Sequence, residues 1–295
     1  GGGIYNAGTL TLTNSTVSEN TATDLFGGRG GGIYNEGSLT LTNSTVSGNK
    51  AGSGGGILNG GTLTLTNSTV SGNTGCGIDN GGSLTLTNST VSGNTGGGIS
   101  NSGGTLTLTN STVSGNTGGG IFNSNRGTLT LTNSTVSGNK AGRGGGIYNI
   151  GSGTLTLINS TVSGNTATGE YGGGGIANAG SANLSFSTIT NNQATSGGGG
   201  IRIYSGAVKV KGVILANNTS QSGTGPECSG SLISHGYNLI KNIADCDFTV
   251  HPTDILNKDP LLGPLADNGG PTKTHLPAAN SPVLDRVPHQ ECTAL

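Results

Sequence analysis

The 295 residues include no methionine and no tryptophan, only 3% aromatic and 8% charged side chains, and no proline before Pro226. No run is long and apolar enough to cross a membrane as a helix, and no basic-then-apolar leader opens the chain. A formal net charge of −1 with no basic stripe gives nucleic acid nothing to bind. With no Cys-x-x-Cys pair among the four cysteines, a zinc site has no ligand set, and no other cofactor or metal site is expected. So little apolar and charged material, with 60 glycines, borders on the composition of a chain that cannot offset backbone ordering at roughly 1–2 kcal/mol per residue.

What is present overturns that reading. A Gly-Gly-Gly-Ile-x-Asn run, a short turn and Thr-Leu-Thr-Leu-Thr-Asn-Ser-Thr-Val-Ser-Gly-Asn recur along the chain, as at residues 1–20 and 30–49. Self-similarity at this period is the mark of a solenoid. The Asn closing each unit falls at Asn20, Asn49, Asn73, Asn94, Asn116, Asn139, Asn165, Asn192 and Asn218, giving spacings of 29, 24, 21, 22, 23, 26, 27 and 26. The bare coil is therefore 21 residues, and longer coils carry extra residues after the closing Asn, as at 21–29 and 166–171. Within each unit Leu, Ile and Val alternate with Thr or Ser, which predicts three short strands per coil with one face buried.

In the middle strand Leu10 and Leu12 face the interior while Thr9, Thr11 and Thr13 face out. Aligning coils on the closing Asn sets Phe186 at the position of Asn14, Asn43, Asn67, Asn88, Asn110 and Asn133, and Ile203 at that of Asn6, Asn35 and Asn59. An apolar residue in place of Asn suggests that these amides point inward. Three stacked inward Asn rows are thus expected, one per corner, including the closing row Asn20, Asn49, Asn73, Asn94, Asn116 and Asn139. The Asn-Ser-Thr sequon at the first of these rows would then be a poor glycosylation acceptor. Some nine to ten coils about 4.8 Å apart make a rod on the order of 45 Å long.

The Gly-Gly-Gly-Ile runs at 30–33, 54–57 and 118–121, with Val-Ser-Gly-Asn at 46–49 and 70–73, resemble the paired short motifs of polymorphic outer-membrane proteins and related bacterial surface proteins. That resemblance implies an all-β, right-handed parallel β-helix over residues 1–220. Past residue 220 the composition changes, for all four His and three of the four Cys lie there. Residues 259–272 and 281–285 resemble the C-terminal region of choice-of-anchor bacterial β-helix proteins, which implies a secreted protein held at the cell surface; the family pattern continues past residue 295, so any anchoring segment is expected to be absent or removed. Residues 221–295 are accordingly read as an irregular C-terminal cap. Cys228 and Cys246 have a spacing compatible with a disulfide stapling a loop over the end of the rod, with two free thiols as the alternative. Cys76 reads as a small buried filler and Cys292 as free or tethered. Gly1 opens within a coil, so an upstream cap or end-to-end stacking on another copy is expected there.

For catalysis the sequence offers little. The first 200 residues hold five acids, Glu19, Asp24, Glu36, Asp79 and Glu170, which do not stack at equivalent positions. Paired carboxylates for general acid–base work are not evident. Asp79 alone occupies the outward site of the first strand, among Tyr34, Leu58, Ser100, Phe122 and Tyr148, and Asp245, Asp247 and His251 read as a solvated loop. The expectation is a non-catalytic structural or adhesive surface module, with itself, a surface glycan or a neighbouring-cell component as partner. A polysaccharide lyase or hydrolase is one alternative. Another starts from the outward Thr9, Thr11, Thr40, Thr42, Thr64, Thr66, Thr85, Thr87, Thr107, Thr109, Thr130 and Thr132, a flat uncharged array that resembles the Thr-x-Thr faces of β-solenoid antifreeze proteins. Threonine also simply suits an exposed strand.

Overall fold

A computed structural model describes residues 1–23 and 28–293. Asp24 lies outside the described residues. Nine successive turns each give one strand to each of three parallel sheets, beginning with Ile4–Asn6, Thr9–Thr13 and Thr16–Ser18 and reaching Ile201–Ile203, Val208–Lys211 and Ile214–Ala216. Register is exact in type as well as position: Ile33 pairs Ile57, Leu39 pairs Leu63, and Val46 pairs Val70. Identical residues stack because every turn repeats one inward pattern, and the inward Ile, Leu, Leu and Val form a single continuous core. At roughly 1.5–3 kcal/mol for each buried aliphatic chain, this column is modest per turn.

Buried polar ladders supply the rest. Asn94 Oδ1 accepts from the backbone N–H of Asn73 at 3.0 Å and from its Nδ2 at 2.9 Å, while Asn94 Nδ2 donates to Val70 O at 3.3 Å and Asn116 Oδ1 at 3.0 Å. The same pattern links Asn20, Asn49, Asn73, Asn94, Asn116 and Asn139 and runs on to Asn218. A second ladder joins Asn6, Asn35, Asn59, Asn80, Asn101, Asn123, Asn149 and Asn178 through Nδ2 to Oδ1 bonds of 2.7 Å. Both rows sit where the chain turns between sheets and satisfy backbone groups that the strands leave open.

The third expected row stacks in part, with Asn67 Nδ2 donating to Asn43 Oδ1 and Asn133 Nδ2 to Asn110 Oδ1, both at 3.2 Å, but it faces outward, which corrects the expected orientation. Asn14, Asn43, Asn67, Asn88, Asn110 and Asn133 have φ of 49–52° and lie at the surface, exposed or half-buried. The inward corner belongs to the following serine: Ser68 Oγ donates to Thr66 O at 2.8 Å and accepts from Ser44 N–H at 3.1 Å. Asn is used here because its short amide tolerates the left-handed region, and Phe186 adopts it too at φ 49°. The apolar replacement thus reported a backbone conformation, not an inward side chain.

Strand pairing continues past the change of composition at residue 220. Cys228–Ser234 continues both the first and second sheets, and Leu239–Ile240 and Ile255–Leu256 extend the third. The Cys228–Cys246 disulfide, with Cα atoms 5.2 Å apart, therefore joins successive turns instead of closing a loop over the rod's end. Only then does the chain reverse. An antiparallel hairpin, Leu262–Ala266 with Thr274–Pro277, lies back along the outer side of the third sheet as a strap. Thr135 Oγ1 donates to Lys273 O at 2.8 Å, Thr272 Oγ1 donates to Asn133 O at 3.1 Å, and Lys211 pairs with Glu291 at 3.4 Å.

Candidate functional site

The outward positions of the first sheet form one row in register: Tyr5, Tyr34, Leu58, Asp79, Ser100, Phe122, Tyr148, Ala177 and Arg202. Aromatic residues gather at both ends. The rings of Tyr5 and Tyr34 are 5.4 Å apart, and the Glu36 carboxylate accepts from both phenols. Those bonds raise both tyrosine pKa values and lower that of Glu36. Phe122 and Tyr148 are 5.5 Å apart, and Tyr171 and Tyr204 extend the cluster at 6.4 Å. The Arg143 guanidinium lies 3.5 Å over the Tyr171 ring, and the neighbouring Tyr148 phenol raises its pKa. Burial lifts the Tyr204 phenol to about 12.

Between these ends the rod is notched. The turns that begin after Asn73, Asn94 and Asn116 are the shortest, at 21, 22 and 23 residues, and the chain cuts the corner there through glycines at φ +104° (Gly75), +116° (Gly97) and +104° (Gly119). In a longer coil the central Gly leaves no room for a side chain, since a Cβ on Gly31 would stand 2.3 Å from Gly55 O, whereas the notch holds Cys76 at that position and a Cβ on Gly97 would meet nothing nearer than 3.3 Å. The result is a cleft of about 240 Å³ whose walls include Cys76, Gly97, Ser100, Phe122, Arg143 and Tyr148. In the longest coils the central amide of the run is paired, Gly31 N–H to Gly54 O and Gly145 N–H to Gly173 O, whereas that of Gly55, which lies outside the cleft, has no partner among the described residues. In the notch the N–H groups of Cys76 and Gly97 have no partner among the described residues.

The cleft's chemistry suits binding better than bond cleavage. Asp79 is the one carboxylate on this row; burial raises its pKa and the Ser100 hydroxyl bonds it. Cys76 is no nucleophile at neutral pH, since burial lifts its thiol to about 11. The tail residues do not converge either: Asp245 accepts from Gly225 N–H at 2.8 Å, while His251 Nδ1 meets Thr253 Oγ1 at 2.9 Å. Ser163 Oγ and His275 Nε2 lie 2.8 Å apart, the spacing of a nucleophile and its base, but His275 belongs to the strap and Ser163 lies beneath it, so both are buried at that contact. No cluster of three metal-ligating side chains occurs among the described residues.

The second sheet carries the threonine array. Thr11, Thr40, Thr64, Thr85, Thr107 and Thr130 stack in register, flanked by Thr9 with its counterparts and by Thr13, Thr42, Thr66, Thr87, Thr109 and Thr132. The strap lies on the third sheet and leaves this face open. The array was legible in the sequence. The notch was not, although its signal, the minimum in coil length, was in plain view.

Residues 3–166 match the family described as the right handed beta helix region. No curated protein matches the chain. Among solved structures it is similar to a pectate lyase, Pel9A, at 11% identity and a TM-score of 0.40, over 85% of this chain and 69% of that one.

Proposed function

We propose, on the premise that this chain belongs to the right-handed β-helix family, that it is a non-catalytic extracellular module of structural or adhesive use, which presents the aromatic face of its first sheet to a glycan. The observation that carries the reading is the outward row from Tyr5 to Tyr148. It offers aromatic platforms at fixed spacing on a rigid column, with a single carboxylate along it. Aromatic faces beside hydroxyl and guanidinium groups are the chemistry that holds sugars by their apolar faces and orients them by their edges. The disulfide accords with an oxidising compartment, and no described helix is long and apolar enough to cross a membrane.

Two assays on the purified chain test this. Co-sedimentation with insoluble polysaccharides and cell-wall preparations should deplete it from solution, and a Phe122→Ala, Tyr34→Ala variant should remain in the supernatant. Prolonged incubation with the same glycans should release no new reducing ends; sustained release would replace the adhesive reading with an enzymatic one.

The in-register threonine array favours a second reading, the ordering of water at an ice surface. Thermal hysteresis that disappears in a Thr85→Lys, Thr107→Lys variant would establish it. Freezing and melting curves that coincide for the native chain would dispose of it.

A further inference from the structure

We infer that the notch is a subsite for a sugar ring bearing an anionic group, carboxylate or sulfate. This rests on the adhesive reading above and names its ligand class. Three observations meet in the cleft. The first is apolar: Phe122 is 37% exposed with Tyr148 beside it, a platform for one face of a pyranose ring. The second is cationic, for Arg143 lines the cleft beside Tyr148 and is held there by the Tyr171 ring 3.5 Å beneath its guanidinium. Side chains already held in place lose little freedom when a ligand arrives.

The third is the floor. Gly97 is buried, yet its N–H has no partner among the described residues, and neither have those of Cys76 and Gly119 in the coils on either side; Gly55, one coil further, shares this but lies outside the cleft. Unpaired amides at depth are rare, because each forfeits a hydrogen bond on leaving water. Peptide N–H groups left unpaired at the floor of a concavity are available to anionic oxygens, as the sequence-adjacent N–H groups of a nest are. The amides of Cys76 and Gly97 are about 4.8 Å apart, one coil spacing. One anionic group can draw on them and on Arg143 together, while the ring that carries it rests on Phe122. A volume of about 240 Å³ accommodates one ring, and the row toward Leu58 and Tyr34 leaves a path for the rest of the chain.

Asp79 sets a limit. Its carboxyl neighbours both Ser100 and Cys76, so any charge it carries opposes an anionic ligand. The Asp79→Asn substitution therefore strengthens binding, the opposite of its effect if Asp79 grips sugar hydroxyls.

Calorimetric titration of the full-length chain tests the inference with four tetrasaccharides: hyaluronan, which carries carboxylates; chondroitin sulfate, which adds sulfate; carboxyl-reduced hyaluronan; and chitotetraose. The expected result is binding of one or both anionic probes at least about tenfold tighter than of either neutral one, which is the scale of a charge-assisted hydrogen bond. Arg143→Gln and Phe122→Ala should each weaken it by a similar factor, Asp79→Asn should tighten it, and Thr107→Ala on the second sheet should leave it unchanged. Comparison of the first two probes separates carboxylate from sulfate. Equal binding of anionic and neutral probes that still needs Phe122 would overturn the inference and leave the adhesive reading intact. No binding of any probe by a chain with native circular dichroism would overturn the inference; only a simultaneous failure to sediment with polysaccharides would take the adhesive reading with it.

Discussion

The repeated turns and the terminal turns solve one problem in two ways. From Asn20 to Asn192 each corner is closed by an amide that accepts from one neighbour and donates to the next, so the ladder can propagate without limit. At Asn218 that relay stops. Its Nδ2 donates to Glu227 Oε2 at 2.7 Å, so a carboxyl group stands where the next amide of the relay would be. Beyond it the stack is held by a disulfide and by a strap that returns along the third sheet. A periodic column needs only its own repeat, whereas its end needs parts the repeat does not contain.

The largest contrast should come from the middle of the ladder. Asn94→Ala removes four hydrogen bonds and strands the Asn73 amide and the Val70 carbonyl, at a cost of about 4 kcal/mol. Urea unfolding would show it as a lower midpoint. Opening the disulfide in a Cys228→Ser, Cys246→Ser variant should cost about 3 kcal/mol, and proteolysis should then begin in the terminal turns while the repeats stay protected.

Glu227 sharpens the comparison through pH. Burial raises its carboxyl from 4.5 to about 7, so between those values the folded chain holds a proton that the unfolded chain has released. Stability from this group is therefore greatest at acid pH, falls as pH rises from about 4.5 to about 7, and is level above, a span on the order of 2–3 kcal/mol. Glu227→Gln keeps an acceptor for Asn218 and should flatten that part of the melting-temperature profile. An unchanged profile would mean that the carboxylate is tolerated at the end of the ladder without cost.

The smallest effect belongs to the outer Asn row. Asn88→Ala should cost about 1 kcal/mol, because alanine is strained at positive φ, and Asn88→Gly should be close to neutral. A loss from Asn88→Gly as large as that from Asn94→Ala would show that the two rows are not different in kind.

Much of this was readable in advance because a solenoid is one pattern restated. Alternation in Thr-Leu-Thr-Leu-Thr fixed which face is buried, and the recurrence of Asn at the closing position marked a ladder. The Asn-Ser-Thr corner misled because Asn serves two purposes: a buried amide relay at Asn94, and a residue that tolerates left-handed backbone at Asn88. Composition does not separate these. Ser89, buried beside Asn88, decides the matter, since only one side chain of the pair can fill the corner.

The sequence alone determined the period, the parallel register and the inward column, since each of these follows from interactions between equivalent residues one coil apart. Tertiary structure alone decided that short coils open a cleft between Cys76 and Arg143, that the stack runs on to Leu256, and that the tail doubles back over Thr135 and Ser163. Those features depend on how unequal parts meet in space. No periodic pattern in the chain encodes such meetings.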